Sequence, residues 1–447
     1  ETTFTEPEDL SGRRSAVLAP SLSLSYEEPL HIVRGRGTYL YDVFGREYLD
    51  CVNNVAHVGH EDPDVVRAGR LQMGVLNTNS RYLHESVLMY AERLVAALPD
   101  PLAVCLFVNS GTEANELALR MARAHTGGTG VVVLEGGYHG SSQALIDVSH
   151  YKFAGHGGEG APDWVRAAPM PDAYRGKYRR NDPARATKYA EHIGEGFAEL
   201  REASHAPAAY LSEAILCCGG QIEPPQGYLA AAYEHARASG ALCIADEVQT
   251  GFGRVGSHMW GFETQGVVPD IVTLGKPIGN GHPIGAVVTT REIAASFDNG
   301  MEFFSTFGGN PVSAEIGLAV LDVLDRDELQ DRAAAVGNKL KASLTELAER
   351  HEPIGEVRGR GLFLGIEFVQ SRETLEPAPG VAEYVVARMK ERGILLSTDS
   401  PDRNVIKFKP PMTFSESDGD RLVHELDAVL THDFVVSSTR SATEPAG

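Results

Sequence analysis

Two polar residues interrupt apolar runs of this chain at points where a buried strand would leave its sheet. Asp246 follows Ala241-Leu-Cys-Ile-Ala245 and opens the segment Asp246-Glu-Val-Gln-Thr-Gly-Phe-Gly-Arg254, and Lys276 follows Asp270-Ile-Val-Thr-Leu274 and leads into Pro277-Ile-Gly-Asn-Gly281. An acid at a strand end can simply cap the next turn. A lysine is seldom drawn into apolar surroundings without a partner or a task. Together they set a carboxylate and an amine at one sheet edge, the arrangement that pyridoxal phosphate requires: lysine for a Schiff base, aspartate for the pyridinium nitrogen. Ser110-Gly111-Thr112, after the run ending at Val108, adds hydroxyls and backbone N–H groups at a helix start, either a phosphate cradle or an ordinary N-cap. Gly136-Gly-Tyr138-His139-Gly140 supplies an aromatic ring that can stack on a pyridine or pack in a turn.

Positioning these groups is the work of alternating elements. Ala103–Val108, Gly130–Leu134, Ala208–Leu211, Ala241–Ala245, Asp270–Leu274 and Ile284–Val288 are continuous apolar runs of the kind a parallel sheet buries on both faces. Between them, Ala114, Leu117, Ala118, Met121 and Ala122 form one stripe of a helix. The alternation predicts a doubly wound α/β layer, which binds ligands at the carboxyl ends of its strands. Past residue 325 the pattern changes to one long charged helix over 327–350 and Gly-punctuated strands, a smaller α+β domain. The expected organisation is an N-terminal arm and strands over 1–70 packing with the small domain, a large domain over 71–325, the small domain over 326–435 and a disordered tail over 436–447.

The 447 residues carry 40 Lys+Arg against 61 Asp+Glu, a net charge of −21. Such a surface repels phosphate backbones and anionic lipid, so nucleic-acid and membrane-surface binding are disfavoured. No apolar window reaches the length of a membrane span, and the first residues lack a signal-peptide pattern. The five cysteines, Cys51, Cys105, Cys217, Cys218 and Cys243, fit buried thiols in a reducing cytoplasm, with a redox or metal role as the alternative reading. His57 and His60 lack a third ligand nearby, and no metal site is expected.

Ser110-Gly-Thr-Glu-Ala114, Tyr138-His-Gly140, Asp246 to Arg254, Lys276 and Thr306-Phe-Gly-Gly-Asn-Pro311 occur in the order and spacing of class III aminotransferases, and the chain resembles that family from about residue 30 to 432. The resemblance implies the transferase fold type I of pyridoxal 5′-phosphate enzymes, with a mostly parallel seven-stranded sheet in the large domain. It implies that Lys276 forms the Schiff base, Asp246 pairs with the pyridine nitrogen, Gln249 reaches the 3′ oxygen, and Tyr138 and Val248 cover the two ring faces with His139 close by. Ser110, Gly111 and Thr112 would take the cofactor phosphate, joined by Thr306 from a second subunit. A homodimer with shared sites, and possibly a tetramer, is therefore expected.

Finer segments, among them Cys51 to His60, Leu76 to His84, Tyr174 to Arg179 and Arg403 to Met412, resemble the ethanolamine-phosphate phospho-lyases and their relatives acting on 5-phosphohydroxylysine. Typical aminotransferases of the class pair an arginine near the C-terminus with a glutamate to grip a substrate carboxylate. The matching positions here are Lys407 and Glu213, with Lys409 beside them. Lysine lacks the bidentate fork that suits a carboxylate, which weakens the ω-aminotransferase alternative. Arg81, Lys407 and Lys409 become the expected cations for a substrate phosphate, with surface charge as the plain alternative. Basic Tyr174 to Arg180 is expected to be a solvated loop.

Overall fold

The computed structural model describes residues 7–440. Its central feature is a seven-stranded sheet built from β4 (Leu102–Val108), β5 (Gly130–Leu134), β6 (Val165–Ala168), β7 (Pro207–Glu213), β8 (Leu242–Asp246), β9 (Ile271–Leu274) and β10 (Gly285–Thr290), in the order β4-β10-β9-β8-β7-β5-β6. The numbering follows three strands nearer the N-terminus, β1 (Ile32–Arg36), β2 (Tyr39–Asp42) and β3 (Glu47–Asp50). Every pairing from β9 through β6 is parallel, and β10 alone runs antiparallel to both of its neighbours. The reason lies in the connection. Only residues 275–284 join β9 to β10, too few for the crossover of roughly a dozen or more residues that a parallel return needs.

All six apolar runs are strands of this sheet. The edge strand β6 was not foreseen, because Val165-Arg-Ala-Ala168 is short and carries a charge. The helix Gly111–Thr126 buries Ala114, Leu117, Ala118, Met121 and Ala122 against the sheet and ends at Gly127, whose φ of 69° suits glycine. Toward the C-terminus the expected long helix over 327–350 is Leu329–Arg350; a second helix, Pro311–Arg326, precedes it, parted from it at Glu328, which adopts φ 48°.

A second sheet of β11 (Ile354–Arg360), β12 (Phe363–Phe368), β14 (Ser397–Asp399) and β15 (Val405–Phe408) has the order β11-β12-β15-β14. The glycine-rich Val357 to Gly365 segment is the β11–β12 hairpin, with Arg358 opposite Gly365. The short β13 (Ile394–Leu395) instead extends the N-terminal sheet, running parallel to β3. Tyr26 donates to Leu396 O at 2.9 Å and Lys390 pairs with Glu28 at 3.1 Å, so the chain before β1 lies against this region. Its start is helical over Pro7–Val17, which the sequence did not signal. The helix Asp433–Arg440 occupies the beginning of the expected disordered tail; the rest of that tail, 441–447, and residues 1–6 lie outside the described residues.

Buried Arg254 ties the two parts together: its guanidinium donates to Pro410 O and, at 3.4 Å, to Leu362 O, and lies 3.1 Å from His57 Nδ1. No helix among the described residues is long and apolar enough to cross a membrane.

Candidate active site

Sheet register assembles the polar groups. Glu213 ends β7 opposite Asp246 at the end of β8, and Asp246 stands opposite Thr273 of β9. Three parallel strands therefore deliver three polar side chains to one carboxyl edge, and Lys276 follows three residues past Thr273.

Asp246 is 3% exposed. Its Oδ2 accepts from Asn115 Nδ2 at 2.8 Å and faces His139 Nδ1 at 2.8 Å, while Oδ1 accepts from Val248 N at 3.1 Å. Against a carboxylate the His139 proton belongs on Nδ1. Asn115 is itself fixed, accepting from Thr273 Oγ1 at 2.6 Å and donating to His139 O at 2.8 Å, and Ser149 Oγ accepts from His139 N at 2.9 Å. Sequence reasoning missed Asn115, Ser149 and Thr273. The one legible signal was Asn115, a polar residue beside Ala114 and Ala118 on the apolar helix stripe.

Lys276 sits half-buried with φ 34°. Burial, and then the neighbouring charge of Lys409, hold its ammonium below the ordinary value of 10.5. Its loop presses on the helix start: a Cβ at Gly275 would meet Gly111 N and Cα at 3.0 Å, and one at Gly111 would lie 2.8 Å from Val248 Cγ2. Only glycines permit the approach. Ser110 Oγ accepts from Glu113 N at 3.1 Å as an N-cap, retaining its own proton for a further bond; Thr112 Oγ1 accepts from Ser141 N at 3.4 Å.

Glu213 is buried, its carboxyl accepting from Cys217 N at 3.0 Å and Tyr138 N at 3.4 Å. Burial first, then Cys217 and Asp246, push its pKa well up. The half-buried Tyr138 meets Tyr151 edge-on at 6.4 Å. Lys407 does not pair with Glu213; its Nζ lies 3.2 Å from Asp399 Oδ2. Burial opposes the Lys407 charge, but Asp399 outweighs it and raises the pKa. Lys409, 4% exposed, places Nζ 3.1 Å from Cys217 Sγ and 3.3 Å from Gln249 Oε1, an oxygen that also accepts from Asn54 Nδ2 at 2.7 Å. The Cys217 thiol is held below its usual value by a hydrogen bond from Cys218 and by Lys409, while Cys218 is pushed up.

Arg81 and Thr306 are both exposed, and Ser305, before Thr306, accepts from Asn109 Nδ2 at 3.3 Å, one residue from Ser110. The Arg81 guanidinium pairs with Glu302 at 2.9 Å and lies 4.1 Å above the Phe304 ring, beside exposed Leu83 and Phe307. Basic Tyr174 to Arg180 is not a free loop: Arg175 bridges Glu367 and Asp402, and Arg180 pairs with Glu356, joining the large sheet's loops to the sheet of β11 and β12. His57 Nε2 contacts Phe252 O at 2.7 Å and His60 pairs with Asp50 at 2.7 Å.

These residues fit pyridoxal phosphate. A lysine kept toward its neutral amine suits the aldehyde, a carboxylate oriented by three donors suits the pyridine N–H, and a helix N-terminus behind Gly111 suits the phosphate. Fold and site define a pyridoxal 5′-phosphate-dependent enzyme of fold type I. The chain belongs to the class III aminotransferase family, whose model, Aminotransferase class-III, matches residues 23–430. It is 50% identical over 409 residues to a Drosophila melanogaster protein named alanine--glyoxylate aminotransferase 2-like, covering 90% of this chain and 83% of that one. It is 39% identical over 437 residues to ethanolamine-phosphate phospho-lyase homolog 1 of Caenorhabditis elegans, covering 95% and 93%. Among solved structures, a phospholyase from Arthrobacter in complex with phosphoethanolamine superposes with a TM-score of 0.90 at 40% identity, covering 98% of this chain and all of that one.

Proposed function

We propose that this enzyme eliminates phosphate from O-phosphoethanolamine, leaving acetaldehyde and ammonia after hydrolysis. The observation that carries the reading is the pair of lysines, Lys407 and Lys409, whose ammoniums flank Cys217 and Asp399. Two point charges suit a tetrahedral phosphate dianion better than a planar carboxylate. The similarity to the phospholyase complexed with phosphoethanolamine supports the same reading.

When bound, pyridoxal phosphate supplies an aldehyde that captures the substrate amine and a ring that accepts electrons. Asp246, oriented by Asn115, His139 and the Val248 amide, would face the pyridine nitrogen and hold its proton. Val248 and Tyr138 would cover the ring, His139 would steady Asp246 beside it, and Gln249 would take the 3′ oxygen. Ser110, Gly111 and Thr112 would hold the cofactor phosphate, with Thr306 of the partner subunit. Lys276, favoured as a neutral amine by burial, takes the proton from the carbon that bears nitrogen. Lys407, Lys409 and Arg81 would stabilise the departing phosphate, and burial, which raises the Glu213 pKa, disfavours an opposing charge there.

A homodimer accounts for the exposed face around Arg81 and Thr306, where Leu83 is 96% and Phe307 68% exposed. The five free cysteines suit a reducing compartment, which we take to be the cytoplasm.

A second reading, transfer of an amine to a keto acid, is favoured by the 50% identity to the Drosophila protein; 5-phosphohydroxylysine is a rival substrate for the elimination. Parallel assays of the purified enzyme separate them. Phosphate release from phosphoethanolamine should exceed both release from 5-phosphohydroxylysine and alanine-to-glyoxylate transfer in kcat/KM; the reverse order in either comparison replaces the proposal with that alternative.

A further inference from the structure

We propose that Cys217, Cys218 and Asp399 form a binding site for a soft divalent cation, such as zinc or cadmium, beside the catalytic lysine. Their sulfur and carboxylate donor atoms all lie within 4.8 Å of one another. In a tetrahedral zinc site, ligands at about 2.0–2.3 Å from the ion stand roughly 3.3–3.8 Å apart, so small side-chain rotations bring the three onto one ion. Cys217 is 1% and Asp399 5% exposed, so these are not solvated surface groups.

The covalent alternative for neighbouring thiols, a disulfide, fits less well. The Cys217–Cys218 peptide is trans, and adjacent Cα atoms across a trans peptide are about 3.8 Å apart, below the roughly 4.4–6.8 Å of ordinary disulfides. An ion held between the sulfurs removes that constraint. Without it the site is electrically balanced, Cys217 against Lys409 and Asp399 against Lys407. On binding, the hydrated cation exchanges waters for two sulfurs and one carboxylate oxygen, and Cys218 releases a proton. Three anionic ligands then face the dication and the two ammoniums, leaving one net positive charge that solvent or an anion can meet.

A fourth donor stands ready in Gln221. This residue is fully buried with φ 54°, its Nε2 lies 3.7 Å from Cys217 Sγ, and its Oε1 has no hydrogen-bond partner among the described residues. A half-turn of the amide presents that oxygen to the cluster at the expense of the 3.2 Å bond that Nε2 gives Cys217 O.

The test titrates the holoenzyme with cadmium chloride and follows the ultraviolet thiolate-to-cadmium charge-transfer band. One equivalent per chain should saturate it in the wild type and in Cys105→Ser. Cys218→Ser should weaken binding by more than about 100-fold, beyond the 10–100-fold typical of losing an outer-shell partner, and Asp399→Asn should weaken it without removing the band. Retention of cofactor absorbance and near-ultraviolet dichroism shows that each variant is folded. Absence of a saturable band in folded wild type, or a band unchanged in Cys218→Ser, overturns the site.

Discussion

The ammonium of Lys409 rests 3.1 Å from the sulfur of Cys217, so a buried cation has a cysteine sulfur as its partner where a carboxylate would be usual. Two residues away Lys407 has Asp399 at 3.2 Å. Both lysines are therefore held in place before a substrate arrives, and a phosphate can engage them without the cost of ordering long side chains. Lys407→Met and Lys409→Met should each raise KM for phosphoethanolamine by about 10–100-fold, the weight of a charged hydrogen bond of roughly 1.5–3 kcal/mol. Cofactor absorbance should change little. Steady-state kinetics on both variants checks this, and an unchanged KM removes that lysine from the phosphate site.

The support of Asp246 by Asn115 and His139 predicts that catalysis depends on residues with no direct part in the chemistry. Asn115→Ala and His139→Phe each remove one of the donors to Asp246 Oδ2. Turnover should fall by about 10–100-fold and the cofactor should bind more weakly, as is typical when an outer-shell partner is lost. Equilibrium dialysis of cofactor alongside kcat distinguishes this from general unfolding.

Lys276 gives a pH signature in the cofactor-free protein. Burial, aided by Lys409, lowers its folded-state pKa below 10.5, so the unfolded chain binds a proton more readily than the folded one. Below the lowered value both states are protonated and the fold bears the full penalty; as pH rises through that value toward 10.5 the penalty fades. Lys276→Met should therefore raise Tm at pH 7, with the gain shrinking as pH approaches 10.5. Thermal melts across that range measure it, and a gain independent of pH would assign the effect to packing alone.

Arg254 tests how the large sheet's loops are joined to the β11–β12 hairpin and the segment after β15. Its guanidinium satisfies Pro410 O and Leu362 O from the fully buried interior. Arg254→Met leaves buried acceptors unpaired, at about 1–3 kcal/mol each, and should lower stability by roughly 2–4 kcal/mol in urea melts. Arg67→Met, which removes an exposed pair to Asp64, should cost less than about 1 kcal/mol.

Much of the large sheet was legible because its strands are unbroken apolar runs, buried on both faces, and because Asp246 and Lys276 interrupt that texture. The reversed strand β10 was not foreseen, since direction is set by the length of the 275–284 connection and leaves no mark on composition. Pairings were least visible. Lys407 matched Glu213 in the sequence, but strand register brings it to Asp399, and Tyr174 to Arg180 read as a solvated loop because its partners Glu356, Glu367 and Asp402 are about 180 to 230 residues away. Long-range charge pairing follows from topology, and no local pattern encodes it.

The most direct measurement is the number of phosphates released per active site from phosphoethanolamine when no keto acid is present. Elimination regenerates the cofactor within each cycle, so phosphate and acetaldehyde should accumulate together over many turnovers. If turnover begins only when a keto acid is added, the enzyme is a transaminase and the role given to Lys407 and Lys409 is wrong; if no more than one equivalent per site forms under either condition, elimination from phosphoethanolamine is contradicted.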